Sequence, residues 1–116
     1  TAPLVLKRLN MNQSHLLDMN ELTAFQRDIL FVIGGNDKPH GLAIKSGLED
    51  YYNSEVNHGR LYPNLDQLVD QGLVSKGEYD KRTNMYTLTE DGDAAIRSRR
   101  EWEQQHFSDK GELQSS

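Results

Sequence analysis

With 116 residues, 35% hydrophobic content and a formal net charge of -5, the chain has material for one small domain with wet faces. Cysteine is absent, which excludes disulfides, thiolate metal sites, Cys nucleophiles and thiol redox sensing. No apolar run is long enough to cross a bilayer and no charged stretch leads into an apolar one at the start, so a cytoplasmic location is expected.

Residues 1–21 read as an N-terminal extension. Leu4, Leu6 and Leu9 alternate, whereas Met11, His15 and Leu16 suit a helix face. The segment is expected to dock on the domain or on a partner subunit. A first helix starts at Thr23, where Thr23 and Gln26 have the spacing of a capping box. Leu22, Phe25, Ile29, Val32 and Ile33 recur at helical spacing, and Gly34-Gly35 ends the run. Asn36 to Pro39 is a turn. A second helix follows from about Leu42 to Tyr52, with Ile44, Leu48 and Tyr51 inward. Asn53 to Asn57 is loop-like.

The third helix carries Leu61, Leu65, Leu68 and Val69 on its buried stripe and Gly72 at its cap. An interior proline costs ~3 kcal/mol, so Pro63 places the helix start between His58 and Arg60. Its outward face then holds Arg60, Asn64 and either Tyr62 or Gln67. A strand comes next, then a charged turn from Asp80 to Asn84, then a second strand from Met85 to Thr89. Glu90, Asp91 and Asp93 open a fourth helix at its positive dipole end. That helix runs to about Phe107 with Ile96, Arg99, Trp102 and Phe107 as its larger groups. Residues 108–116 form a polar tail, expected to fray. The predicted fold is mainly α with a small β-hairpin wing: a winged helix-turn-helix over residues 22–89 and a C-terminal helix over 90–107.

That order implies DNA binding, with the third helix in a groove and the hairpin tip on the backbone. Arg60 and Asn64 are candidates for base contact, Arg through guanine and Asn through adenine. Lys45 and Ser46, on a helix that crosses the backbone, are candidates for phosphate. Lys81, Arg82, Thr83 and Asn84 on the wing are candidates for phosphate or minor-groove contact. Asn57 and His58 could hold a phosphate at a helix N-terminus or simply cap it. Tyr62 could pack, reach phosphate, or both. The net charge is awkward for this reading, although His58 to Asn84 is neutral: Arg60, Lys76, Lys81 and Arg82 balance Asp66, Asp70, Glu78 and Asp80. The acidic excess lies elsewhere, as at Glu49, Asp50 and Glu55. A winged-helix protein-interaction module without DNA binding is the alternative.

His15, His40, His58 and His106 lack metal-ligand spacing, so neither a metal site nor a cofactor is expected. Glu90, Asp91 and Asp93 fit helix capping better than a hard-cation site. Arg97, Arg99 and Arg100 fit a solvated face paired with Glu101 and Glu103. No nucleophile with its base, no paired carboxylates in a cleft and no phosphate loop marks an enzyme.

Gly59-Arg60-Leu61-Tyr62-Pro63-Asn64-Leu65, then Leu68, then Gly72-Leu73-Val74, resembles the signature of the PadR family. Tyr86-Thr87-Leu88-Thr89-Glu90-Asp91-Gly92 looks like its closing strand and helix start. The likeness spans about Leu22 to Phe107 and is greatest to haloarchaeal members that respond to oxidative stress. It implies a homodimeric winged-helix transcription regulator on a pseudo-palindromic operator, with the C-terminal helix supplying most of the dimer contact. Leu16, Ile96, Arg99, Trp102 and Phe107 are the candidate interface residues. Trp102 is expected to pack there rather than to stack a flat ligand. Arg60 and Asn64 depart from the common family residues, so their roles rest on position. A high-salt cytoplasm would weaken phosphate contacts, which calls for cations bridging acidic residues to DNA.

Overall fold

The computed structural model describes residues 19–107. The expectations for residues 1–18 and 108–116, Leu16 among them, lie outside the described residues. Residues 19–21 are helical, and Met19 and Leu22 are buried in the core.

Helix α1 spans Ala24–Gly34. The capping box forms: Gln26 N–H donates to Thr23 Oγ1 and Thr23 N–H to Gln26 Oε1, both at 3.1 Å. Phe25, Ile29, Leu30 and Ile33 are buried, while Val32 is half-buried. Between α1 and α2 the expected turn does more than reverse the chain. Pro39 accepts a hydrogen bond from Tyr86 N–H at 2.9 Å, and His40 bridges to Met85, so this stretch edges the later hairpin.

Helix α2 spans Gly41–Tyr52 and buries Ile44 and Leu48. Tyr51, expected to point inward, is 77% exposed. Its neighbour Tyr52 turns in instead. There its ring stacks on Phe25 with centroids 6.2 Å apart, and its hydroxyl donates to Asp28 Oδ2 at 2.6 Å. Helical spacing allows either tyrosine at that position. The one whose hydroxyl finds a carboxylate packs inward and is half-buried, because an unsatisfied buried hydroxyl is costly.

Helix α3 spans His58–Asp70, capped by Asn57, whose Oδ1 accepts from Gly59 N–H at 2.6 Å. Leu61, Leu65 and Leu68 are fully buried and Val69 half-buried. Pro63 lies inside the helix and cannot donate to the Gly59 carbonyl. Gly59 and Pro63 are both exposed, so water can satisfy that carbonyl. The helix ends as expected at Gly72, which has a left-handed φ of 81°. Leu73 N–H reaches back to Leu68 and Gly72 N–H to Val69, the two bonds of a Schellman cap.

Strands β1 (Val74–Asp80) and β2 (Thr83–Leu88) pair antiparallel, from Val74 opposite Leu88 to Asp80 opposite Thr83. The ladder is longer than the sequence pattern suggested. Thr83 and Asn84 belong to β2, and only Lys81-Arg82 makes the turn. The register is irregular between Glu78 and Asp80, which accommodates Tyr79.

Thr89 leaves the sheet to cap helix α4 (Glu90–His106). Its Oγ1 accepts from Gly92 N–H at 3.0 Å and donates to Gly72 O at 2.6 Å, and its N–H donates to Leu73 O at 3.1 Å. Gly92 packs so close to this loop that a Cβ there would lie 2.1 Å from Leu73 O. Of the seventeen residues in α4, only Gly92 and Ala95 are buried.

Candidate nucleic-acid interface

Three elements converge on one face. The first is the start of α2. Its N-cap, His40, makes no side-chain cap bond, and its first turn holds no acidic residue. The backbone N–H groups there present an uncompensated positive end. The second is the start of α3, where the His58 and Tyr62 rings lie 5.7 Å apart. The third is the wing. His40, Gly41, His58, Tyr62, Arg82 and Asn84 all line one open cavity of about 270 Å³ between these elements. Tyr62 reaches it by lying against Gly41, where a Cβ would come within 2.3 Å of the Tyr62 hydroxyl oxygen.

The wing tip is cationic and exposed at Lys81 and Arg82. Asp80 folds back to accept Arg82 N–H at 2.9 Å, a bond that holds its carboxyl below the usual carboxylate range. The acid therefore shapes the turn, and among the described residues neither cation forms an ion pair.

Helix α3 divides into a buried row, two flanks and an outermost row. Gly59, Pro63, Asp66 and Asp70 form the outermost row by their helical spacing, and all are exposed. Arg60, Asn64 and Gln67 lie on the flank that faces α1. Arg60 is exposed, and its guanidinium carbon is 3.9 Å from the centroid of the Phe25 ring. Asn64, expected to face outward, is half-buried with its amide engaged: Oδ1 accepts from Gln26 Nε2 at 2.9 Å and Nδ2 donates to Arg60 O at 2.7 Å. A partner on α1 draws this side chain sideways, which the periodicity of α3 alone could not reveal.

Lys45 is likewise engaged. Its ammonium lies 2.6 Å from Glu49 Oε2 and its side chain is only 16% exposed. Glu49 Oε2 also accepts Val56 N–H at 2.9 Å, so the pair pins the loop that leads into α3. Ser46 beside it is exposed. Asn57 caps α3 through its side chain, as already noted. On α4, Trp102 is 40% exposed, with Arg99 4.5 Å above its ring and the His106 ring 4.5 Å away. Arg97 pairs with Asp93, and Arg99 with Glu103. Ile96 packs partly against the core, whereas Phe107 is 68% exposed.

Sequence reasoning missed Gln26 as a bridge to α3, Glu49 as a clasp and the start of α2 as a positive end. Only the first left a trace, in the capping box, and that signal is local.

A three-helix domain closed by a β-hairpin, with the first turns of its third helix open beside the wing, is a winged helix-turn-helix, the architecture of a DNA-binding regulator. The chain belongs to the transcriptional regulator PadR-like family, whose model matches residues 29–98. RosR in the complex structure hsRosR-S1 is 52% identical over 84% of this chain and 87% of its own, with a TM-score of 0.77. RosR of Halobacterium salinarum from crystals grown from NaBr is 56% identical over 78% and 81%, with a TM-score of 0.74. A MarR-family transcription regulator, 21% identical over 99% and 77% with a TM-score of 0.63, shares the fold. No curated protein matches the chain. The chain is thus a DNA-binding transcription regulator. Among the described residues no helix is long and apolar enough to cross a membrane.

Proposed function

We propose that the chain acts as a homodimer in a high-salt cytoplasm, binds a pseudo-palindromic operator sequence-specifically and regulates genes of the oxidative stress response. Residues 22–89 read DNA and residues 90–107 form the dimerisation helix. The observation that carries the reading is the convergence of the free positive end of α2, the start of α3 and Arg82 on one face. Its likeness to RosR at over half identity directs the choice of partner and setting. Two such faces related by a twofold axis would meet successive major grooves about 34 Å apart. The near-absence of buried residues on α4 and the exposure of Trp102 and Phe107 support a partner helix there. Arg60, Tyr62, Asn57, His58, Lys81, Arg82, Thr83 and Asn84 are the proposed DNA contacts, with Lys45, Ser46 and Asn64 at their edge. Acidic residues near the interface would hold cations that bridge to phosphates. With no cysteine, the stress signal is either indirect or travels through methionine oxidation, a ligand or protein abundance.

Sedimentation of the free chain and gel shifts with promoter fragments at molar KCl test the proposal together. A dimer that retards its own promoter is expected. A folded dimer that shifts no fragment at any salt sinks the DNA reading, and a monomer that binds sinks the role given to α4.

A further inference from the structure

Gln26 is 5% exposed, and the oxygen and nitrogen of its side-chain amide are both engaged. Its Oε1 accepts Thr23 N–H at 3.1 Å. Only an oxygen can accept that backbone donor, so the orientation of the amide is fixed. Its Nε2 then faces α3 and donates twice, to Asn64 Oδ1 at 2.9 Å and to Gln67 Oε1 at 2.6 Å. Both partners must offer carbonyl oxygens inward. Asn64 spends one amide hydrogen on Arg60 O and keeps one. Gln67, which is exposed, keeps both. Arg60, one turn earlier on the same flank, offers only donors.

The geometry points to Gln26 as a specificity-determining positioning residue: by holding the carbonyls of Asn64 and Gln67 inward, it makes this flank of α3 a donor-only surface. Such a surface fits base edges that present acceptors alone. Guanine offers N7 and O6 together in the major groove, whereas adenine pairs its N7 with an N6 donor. The bidentate Asn–adenine contact needs an outward carbonyl and is closed to Asn64 while the network stands. The inference rests on the proposed DNA reading and adds a base preference to it.

The test uses the full chain and duplexes selected from a random pool. Each base pair of the selected site is then replaced in turn, and each guanine by 7-deazaguanine. Wild-type protein is expected to favour guanine beneath α3 and to lose roughly tenfold in affinity when N7 is removed. In Gln26→Glu the carboxylate still accepts Thr23 N–H but has no N–H to donate. Gln67 then turns its NH₂ group inward and its carbonyl outward, and preference at its position moves toward the amino groups of adenine or cytosine, while Asn64 keeps its Nδ2 on Arg60 O. A folded Gln26→Glu dimer with unchanged base preference overturns the assignment. Gln67→Glu guards against loss of fold, because it keeps the acceptor for Gln26 and removes only the outward donors. It should abolish the penalty for 7-deazaguanine at one position per half-site; a penalty equal to wild type at every position overturns the assignment too. A wild-type chain that selects no duplex at all defeats the DNA reading itself, an outcome distinct from either variant result.

Discussion

Arg60 of α3 lies over Phe25 of α1, its guanidinium carbon 3.9 Å from the ring centroid. Tyr52 stacks on the same phenyl ring, so one core side chain links all three helices. A cation over an aromatic face at an exposed site gains about 0.5–1 kcal/mol. The larger effect is on order, because a long side chain held in one place loses less freedom when it binds.

Replacing Arg60 with Lys keeps the charge and loses both the guanidinium–ring contact and the fork of donors. DNA affinity should fall roughly tenfold, the lower range for one good base contact. The thermal midpoint should barely move. Fluorescence anisotropy with the operator reads the first and circular dichroism the second; an affinity equal to wild type removes Arg60 from the interface.

Lys81 and Arg82 should act differently. Phosphate contacts carry no sequence information. The double change Lys81→Ala with Arg82→Ala is therefore expected to weaken operator and scrambled duplexes by the same factor, with the dimer intact. A loss confined to the operator would mean that the wing reads bases.

Asp66 and Asp70 stand on the outermost row of α3, where a duplex would lie. The Lys76 ammonium lies 3.8 Å from Asp66 Oδ1, whereas among the described residues Asp70 forms no ion pair; carboxylates there would repel phosphate. With cations bridging them, the slope of log affinity against log KCl should be shallow or positive, against about -0.9 per neutralised phosphate for simple counterion release. Asp66→Asn with Asp70→Asn should steepen it downward. A steep negative slope in wild type over molar salt counts against bridging.

Among the described glycines, Gly92→Ala should be the most damaging change to alanine. Its Cβ would lie 2.1 Å from the Leu73 carbonyl oxygen, a backbone atom that cannot step aside. A loss of about 3 kcal/mol is expected, at the top of the overpacking range. Denaturant unfolding measures it, and a loss below about 1 kcal/mol would show that the α4 start can shift.

The Lys45–Glu49 clasp sets a pH window. The Lys45 bond, then that from Val56 N–H, holds the Glu49 carboxyl below its ordinary 4.5, and the Glu49 bond raises Lys45 above its ordinary 10.5. Glu49 contributes stability above the ordinary carboxylate range and loses it as pH falls through its lowered value. Lys45 contributes below the ordinary lysine range and loses it as pH rises through its raised value. Glu49→Gln should therefore melt below wild type at neutral pH and converge with it under acid. A gap that persists in acid would assign the effect to packing.

Much of the frame was legible because it follows local rules. Thr23 and Gln26 announced the first helix, Gly72 the end of the third, and Leu61, Leu65 and Leu68 the face that it buries. The Leu61-Tyr62-Pro63 run and the Thr89-to-Gly92 closure carried the family. Legibility ended where a side chain had two options of equal periodicity. Tyr51 and Tyr52 are interchangeable on a helical wheel, and Asp28, in another helix, decides between them. Asn64 looks outward along α3 until Gln26 is placed beside it. Strand length was misjudged because Thr83 and Asn84 are polar, although a hairpin edge tolerates such residues while the ladder lasts.

Thr89 ties the Gly72 carbonyl, the Leu73 carbonyl and the first turn of α4 into one joint. Both ends of the hairpin are anchored there, since β1 leaves it at Val74 and β2 returns to it at Leu88. The wing and the C-terminal helix are therefore tied together at Thr89. In a pair of chains joined along α4, any change in the angle between the two helices would swing both hairpin tips. The dimer would then work as a caliper: the helices set the gauge, and the span between the tips decides which operators fit.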